Sequence, residues 1–154
     1  MSCVHLGATQ PMHAPELVHC LSIRADIGPA IEFDTSHGSQ RSVFAITGGA
    51  VLGKDVKGVI LPGGADFARL LPDQSYDIEA RYCIRFDDGT IVMITNAGRM
   101  YPQPDGSYLG RTRAVFETPP GAFDWLADGV FFGTALGEAD RDDCVFIELW
   151  QATI

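Results

Sequence analysis

The sequence predicts an all-β fold: an antiparallel β-barrel, closed or nearly closed, of about seven or eight strands. Three observations predict it. Short runs with two-residue alternation recur along the chain, separated by Gly, Pro and Asp turn signals. No stretch carries the 3.6-residue period of a long amphipathic helix, and no internal repeat is visible. The 17 glycines are more than a chain of 154 residues usually carries, and many fall between the runs as turns, bulges or bends. A barrel is preferred over a sandwich because closure removes exposed strand edges.

Met1 to Glu16 holds two prolines and no periodicity, so it reads as an irregular N-terminal arm. Leu17 to Ala25 is the first strand, with Leu17, His19, Leu21, Ile23 and Ala25 on one face. Gly28-Pro29 is expected to turn the chain, and Thr35 to Gln40 is a polar loop. Arg41 to Thr47 is a second strand, ended by Gly48-Gly49, and Ala50 to Leu61 a third. Leu61 to Phe67 is a glycine-rich corner that leads into a short irregular or helical stretch ending at Leu71.

The clearest signal is the hairpin over Tyr76 to Ala97. Asp88-Gly89 suits a two-residue type I′ turn. That turn places Phe86 opposite Ile91, Tyr82 opposite Thr95 and Arg81 opposite Asn96. Pro102 and Pro104 then interrupt the pattern, and Asp105-Gly106 turns the chain. Tyr108 to Thr118 is a further strand, and Phe123 to Leu126 a short helical turn. Val130 to Ala135 and Cys144 to Thr153 form the last hairpin, joined by the acidic loop Gly137 to Asp143.

A length of 154 residues fits one domain spanning the whole chain. A domain of this size buries roughly 70% of its unfolded surface, enough for a full core. With 11 basic and 20 acidic residues the formal charge is -9, which argues against a nucleic-acid or anionic-membrane partner. No apolar run approaches the ~20 residues a membrane helix needs. The N-terminus does not read as a signal peptide, and Cys3, Cys20, Cys83 and Cys144 lack zinc or redox spacing. Reduced thiols and a cytoplasmic location are expected. A homo-oligomer is compatible with such a barrel.

Five segments carry a resemblance to a known family: Gly63-Gly64-Ala65-Asp66-Phe67, Asp77 to Tyr82, Asp87 to Ile91, Phe116-Glu117-Thr118 and Trp125-Leu126. Over about Gly48 to Ile154 the chain resembles the family of domain of unknown function 3237. Phe67 stands where that family usually has Trp. The resemblance implies a barrel like that of allene oxide cyclase. It implies no common reaction. Barrels of that type host cyclases and isomerases acting on hydrophobic, oxygenated intermediates, an analogy of fold alone.

No metal and no cofactor are expected. His5, His13, His19 and His37 lack H-E-x-x-H spacing, and no G-x-S-x-G elbow supports a Ser-His-Asp triad. Gly48-Gly49 and Gly63-Gly64 match no phosphate-loop pattern. Asp66 has two readings, a cap for local backbone N–H groups or a carboxylate at a barrel mouth available for acid–base work. Arg81 and Asn96 read either as a solvated polar face or as donors that polarise a bound oxygen. Arg111, Arg113 and Glu117 alternate along one strand face, as a surface ladder or as substrate contacts. Tyr82, Phe116 and Trp125 are core residues that could also shape a cavity.

The expected activity is a cofactor-independent isomerisation, cyclisation or related elimination on a hydrophobic oxygenated small molecule. Asp66, Arg81 and Asn96 would be catalytic. Tyr82, Phe116, Trp125, Arg113 and Glu117 would contact substrate. Two alternatives stay open: a non-catalytic barrel that carries a small molecule, and a structural or oligomer-forming barrel with a filled interior.

Overall fold

The alternating runs become nine strands and one short helix in a computed structural model that describes residues 7–10 and 12–154. The strands are β1 (Glu16–Asp34), β2 (Gln40–Gly53), β3 (Lys57–Ile60), β4 (Gly64–Leu70), β5 (Tyr76–Phe86), β6 (Ile91–Pro102), β7 (Tyr108–Glu117), β8 (Phe131–Gly137) and β9 (Cys144–Thr153); the helix α1 spans Asp124–Asp128. All pairings are antiparallel. The hydrogen bonds run in a ring from β1 through β9, β8, β7 and β6 to β5, then through β3 and β4 to β2 and back to β1. β3 and β4 both bridge β2 and β5, one after the other, so nine strands occupy eight positions around the ring. The all-β barrel expected from the sequence is present. Among the described residues no helix is long and apolar enough to cross a membrane.

Several boundaries differ from expectation: Gly28-Pro29 and Gly48-Gly49 bend strands without ending them, while a turn after Gly53 splits the run Ala50 to Leu61 between β2 and β3. β1 runs through Gly28-Pro29 to Asp34, with register shifts between Asp26 and Ala30 that absorb the proline. β2 passes through Gly48-Gly49, where Gly49 sits at φ 143°. The stretch after Gly63 is the strand β4, so Asp66 lies within a strand rather than at a corner. Of the N-terminal arm, residues 1–6 and 11, including Cys3 and His5, lie outside the described residues.

The β5–β6 hairpin has a register one residue away from the expected one. Gly89 is at φ 89° and Asp88 is not left-handed, so a type I′ turn is ruled out. The loop instead has three residues, Asp87-Asp88-Gly89. It closes with Phe86 N–H donating to the Thr90 carbonyl and Gly89 N–H to the Phe86 carbonyl, both at 2.9 Å. Asp88 Oδ1 accepts from Thr90 N–H at 2.9 Å and holds the turn. Arg81 therefore faces Thr95, Ala80 faces Asn96 and Tyr82 faces Ile94.

That register points Tyr82, Ile84, Phe86, Val92, Ile94, Asn96 and Met100 inward, and all are buried. The core continues with Leu21, Ile23, Val51, Phe116, Phe131 and Leu149. One barrel end is plugged: Phe123 stacks on Phe86 at 4.3 Å between ring centroids, and Leu126 of α1 is fully buried.

β6 and β7 approach closely at Gly98. A Cβ there would press on the Arg111 carbonyl oxygen and lie 2.8 Å from Thr112 Cα. Backbone cannot yield as a flexible side chain can. Gly98→Ala should therefore cost at least about 2 kcal/mol of stability, measured by urea unfolding. A loss under about 0.5 kcal/mol would contradict this β6–β7 approach.

Candidate functional site

One row of paired residues crosses the inner wall: Phe44 on β2, Asp66 on β4, Ala80 on β5, Asn96 on β6, Ala114 on β7 and Phe131 on β8. The small Ala80 separates Asp66 from Asn96 and leaves space between them. Tyr82 lies one layer closer to the plugged end, and Tyr76, Ile78 and Met100 lie toward the open one.

Two connected spaces result. An outer cavity of about 190 Å³ is lined by Ile27, Phe44, Asp66, Ile78, Met100 and Tyr108, with Glu138, Arg141 and Asp142 at its rim. A deeper chamber of about 40 Å³ shares Ile27, Asp66, Ile78, Met100 and Val145 with it and ends on Tyr82 and Asn96. Asp66 thus stands at the throat. A wider depression of about 430 Å³ lies at the plugged end, between residues 52–57 and the 86–88 turn. None of the side chains lining it is a buried polar group without a partner. The inner site is therefore the chemically significant one.

Asp66 owes its setting to a gap in the β4–β5 ladder. Ala65 pairs with Arg81 and Asp66 with Ala80, and the ladder resumes at Arg69 with Asp77. In the gap, Glu79 N–H donates to Asp66 Oδ1 at 3.1 Å. The Asp66 carboxylate accepts a strand N–H and also faces the cavity. Burial raises its pKa from 3.8 to about 6; the Glu79 N–H bond opposes the rise and the Glu79 charge adds to it. Burial also pushes the Tyr82 phenol well above its ordinary range, and the Asp66 charge pushes it further. Tyr82 Oη and Asn96 Oδ1 are buried without a hydrogen-bond partner. Such groups are costly unless something fills the space before them.

The structure brings Asp66, Asn96 and Tyr82 to one cavity and leaves Arg81 outside it. Arg81 occupies the outward-facing parity of β5, so its guanidinium lies on the outer wall. It donates to Glu79 Oε1 from Nε at 3.2 Å and from Nη2 at 2.9 Å, and its guanidinium carbon sits 5.8 Å from the Phe67 ring centroid. The expected Arg81–Asn96 pairing fails because of the three-residue turn. Arg113 and Glu117 are also exposed on the outer face of β7. Phe116 and Trp125 pack around Phe131, at 5.3 and 6.0 Å between centroids, and do not line the cavity. Phe44, Tyr76 and Tyr108, which form the mouth, were not singled out in the sequence. Only Tyr76 carried a signal, its shared parity with Tyr82 on β5.

Among the described residues no group of three or more metal-ligating side chains is gathered. His19, Ser22 and Glu148 cluster on the outer wall. Both Glu148 Oε2 at 2.6 Å and Ser22 Oγ at 3.3 Å meet the same His19 nitrogen, Nε2, so the cluster has no relay geometry.

The fold and site define a β-barrel protein with a carboxyl group at the throat of an apolar cavity. Residues 15–152 match the model of the family described as protein of unknown function (DUF3237), and the chain belongs to that family. A UPF0311 protein of Rhodopseudomonas palustris is 32% identical over 139 residues, covering 82% of this chain and 91% of the relative. The crystal structure of a beta-barrel like protein from Acinetobacter baumannii superposes with a TM-score of 0.85 at 24% identity, covering 95% of this chain and 100% of that one. The hydroalkoxylation enzyme phnH of Penicillium herquei is 23% identical over 137 residues, covering 89% of this chain and 83% of its own length.

The raised pKa of Asp66 has a consequence for stability. Between about pH 4 and pH 6 the folded state holds a proton that the unfolded chain has released. Stability from this group therefore falls as pH rises through that window and levels off above it. Asp66→Asn removes the cost of a buried charge, so it should stabilise the protein above pH 6 by up to about 3 kcal/mol. The advantage should shrink as pH drops to 4. Urea unfolding of both proteins at pH 4 and pH 7.5 checks this; a pH-independent gap would contradict it.

Proposed function

We propose that this protein is a cofactor-independent enzyme that moves a proton within a hydrophobic, oxygen-bearing small molecule, isomerising it by ring closure. The observation that supports the reading is the placement of Asp66, titrating at about pH 6, at the throat of an apolar cavity beside Tyr82 and Asn96. A general base works best when its pKa lies near the working pH, and at neutral pH Asp66 is mostly carboxylate. The distant relative named as a hydroalkoxylation enzyme supports the same class, since hydroalkoxylation adds an O–H across a C=C bond.

In the proposed step the substrate's O–H bond breaks and its proton goes to Asp66. The oxygen forms a C–O bond with one carbon of a conjugated C=C, and the protonated Asp66 returns the proton to the neighbouring carbon. Substrate and product are isomers, and Asp66 ends as it began. Tyr82 and Asn96 hold oxygen, while the apolar wall excludes water and fixes the reacting ends together. Arg81, on the outer wall, takes no part.

The test uses hydroxyl-bearing enones, beginning with ortho-hydroxychalcone, whose ring closure changes absorbance at constant mass. The protein should accelerate closure above the buffer rate. Asp66→Asn should lower kcat by about a hundredfold or more. For the wild type, kcat/KM should rise with pH up to about 6 and then level off, the sign expected of a base. Acceleration that survives Asp66→Asn would overturn the assignment. Binding of these enones without any acceleration would favour the carrier.

A further inference from the structure

We infer that the deep chamber is a hydroxyl-recognition site: it takes the O–H of an uncharged phenol, enol or alcohol, and the ligand's aromatic or apolar body lies in the outer cavity beside Phe44, Tyr76 and Tyr108. The inference rests on reading the cavity as a ligand site, but not on turnover.

The chamber's size sets the first limit. About 40 Å³ admits a group of roughly one to three water-sized atoms, so only the head of a ligand fits. Its walls, among them Ala25, Ile46, Ala135 and Ile147, are apolar. Its polar end is Tyr82, 3% exposed, and Asn96, 2% exposed. Tyr82 Oη and Asn96 Oδ1 both lack partners.

Hydrogen-bond complementarity sets the second limit. Tyr82 supplies an O–H donor and Asn96 Oδ1 an acceptor. One hydroxyl offers both roles at once, an acceptor for Tyr82 and a donor for Asn96. A ketone can answer only the Tyr82 donor, and a hydrocarbon neither. A carboxylate would face Asn96 Oδ1 and the Asp66 carboxylate inside a low-dielectric wall, where like charges are strongly disfavoured. Arg141, the cation among the residues lining the outer cavity, is already paired with Asp143 at 3.2 Å. Recognition of an anion is thus left without a partner at depth.

The outer cavity sets the third. Phe44 and Tyr76 lie edge-to-face at 6.4 Å between centroids, and Tyr76 and Tyr108 at 5.3 Å. Ile27, Ile78 and Met100 complete an apolar surround. An apolar cavity of roughly 150 Å³ is known to admit benzene, so about 190 Å³ accommodates one ring with a short substituent. Larger bodies extend through the open mouth.

The experiment compares three probes with one body and different heads: para-propylphenol, propylbenzene and para-propylbenzoate. Dissociation constants are read at pH 7.5 from chemical-shift changes in the protein's amide NMR spectrum. The phenol should bind about tenfold tighter than propylbenzene, and the benzoate weakest. Tyr82→Phe and Asn96→Leu should each weaken the phenol about threefold to tenfold and leave propylbenzene within twofold. Either variant alone suffices if the other fails to fold. Equal affinities for phenol and propylbenzene in the wild type overturn the inference. So does a phenol preference that survives both variants, or no binding of any probe, which would mean the chamber holds only water. Asp66→Asn separates the two proposals. If it stops ring closure while the wild type shows no phenol preference, the hydroxyl site fails and the enzyme stands. If phenol preference is present but ring closure is never accelerated, the hydroxyl site stands and the enzyme fails.

Discussion

Everything in the site depends on how β2 and β5 are bridged. Neither β3 nor β4 spans the gap alone; β3 has four residues and β4 seven. Placed one after the other, they complete the ring, and the joint at Leu61-Pro62-Gly63 shifts the register against β2 by one residue. Leu61 N–H still finds the Cys83 carbonyl at 2.9 Å across the joint, so the backbone is satisfied where the ladder breaks. Gly64 then lets β4 run close beside β5: a Cβ there would press on the Arg81 carbonyl and lie 2.7 Å from Tyr82 Cβ. This close approach sets Asp66 on the inner wall near Tyr82. The register against β5 changes by two residues across the joint, which preserves parity, so Asp66 faces inward as Gly58 and Ile60 do on β3.

The interior carries a cost that the fold alone does not explain. Asp66 accepts one backbone N–H and forms no ion pair, and burial works against its charge. Two further polar groups, on Tyr82 and Asn96, face the same space without partners. A barrel built only for stability would fill these positions with apolar side chains, as it does one layer down at Ile84 and Val92. Ser42, Arg69 and Thr112 also bury an unpartnered polar atom, but only Tyr82 and Asn96 do so on the wall of a cavity that a carboxyl group shares.

The sequence made the strands legible where only one face is buried. On β5, Arg81, Cys83 and Arg85 alternate with Tyr82, Ile84 and Phe86, and the structure buries the latter set. On β6, Ile91 and Met93 are as apolar as Val92 and Ile94, so composition could not decide the inward set; Ile91 proves 49% exposed. The hairpin register therefore hung on the turn, and Asp-Gly serves both a two-residue turn and a three-residue loop with one left-handed glycine. That single slip moved Asn96 away from Arg81 and into the core. Asp66 was legible as a residue of interest but not as an inward one. The sequence reads the stretch after Gly63 as a corner, and β4 begins only at Gly64, so no strand alternation was there to place it. The aromatic mouth was hidden for a different reason: Phe44, Tyr76 and Tyr108 come from three strands that only closure of the ring brings together.

Enzyme and carrier need the same apolar cavity, and the position of Asp66 is what favours the enzyme. A carrier gains from hydrogen bonds to its ligand but not from a group whose charge changes near neutrality. Asp66 lines both the outer cavity and the deep chamber, so under the proposed reading an oxygen held by Tyr82 and Asn96 shares its space. The same burial that raises its pKa strengthens its pull on a proton, because desolvation disfavours the charged form. The outer-wall Arg81 could not replace it, since a guanidinium stays protonated throughout the working pH range and has no proton to accept. Under the proposed reading, proton movement therefore falls to Asp66, the carboxyl that β4 presents to the cavity.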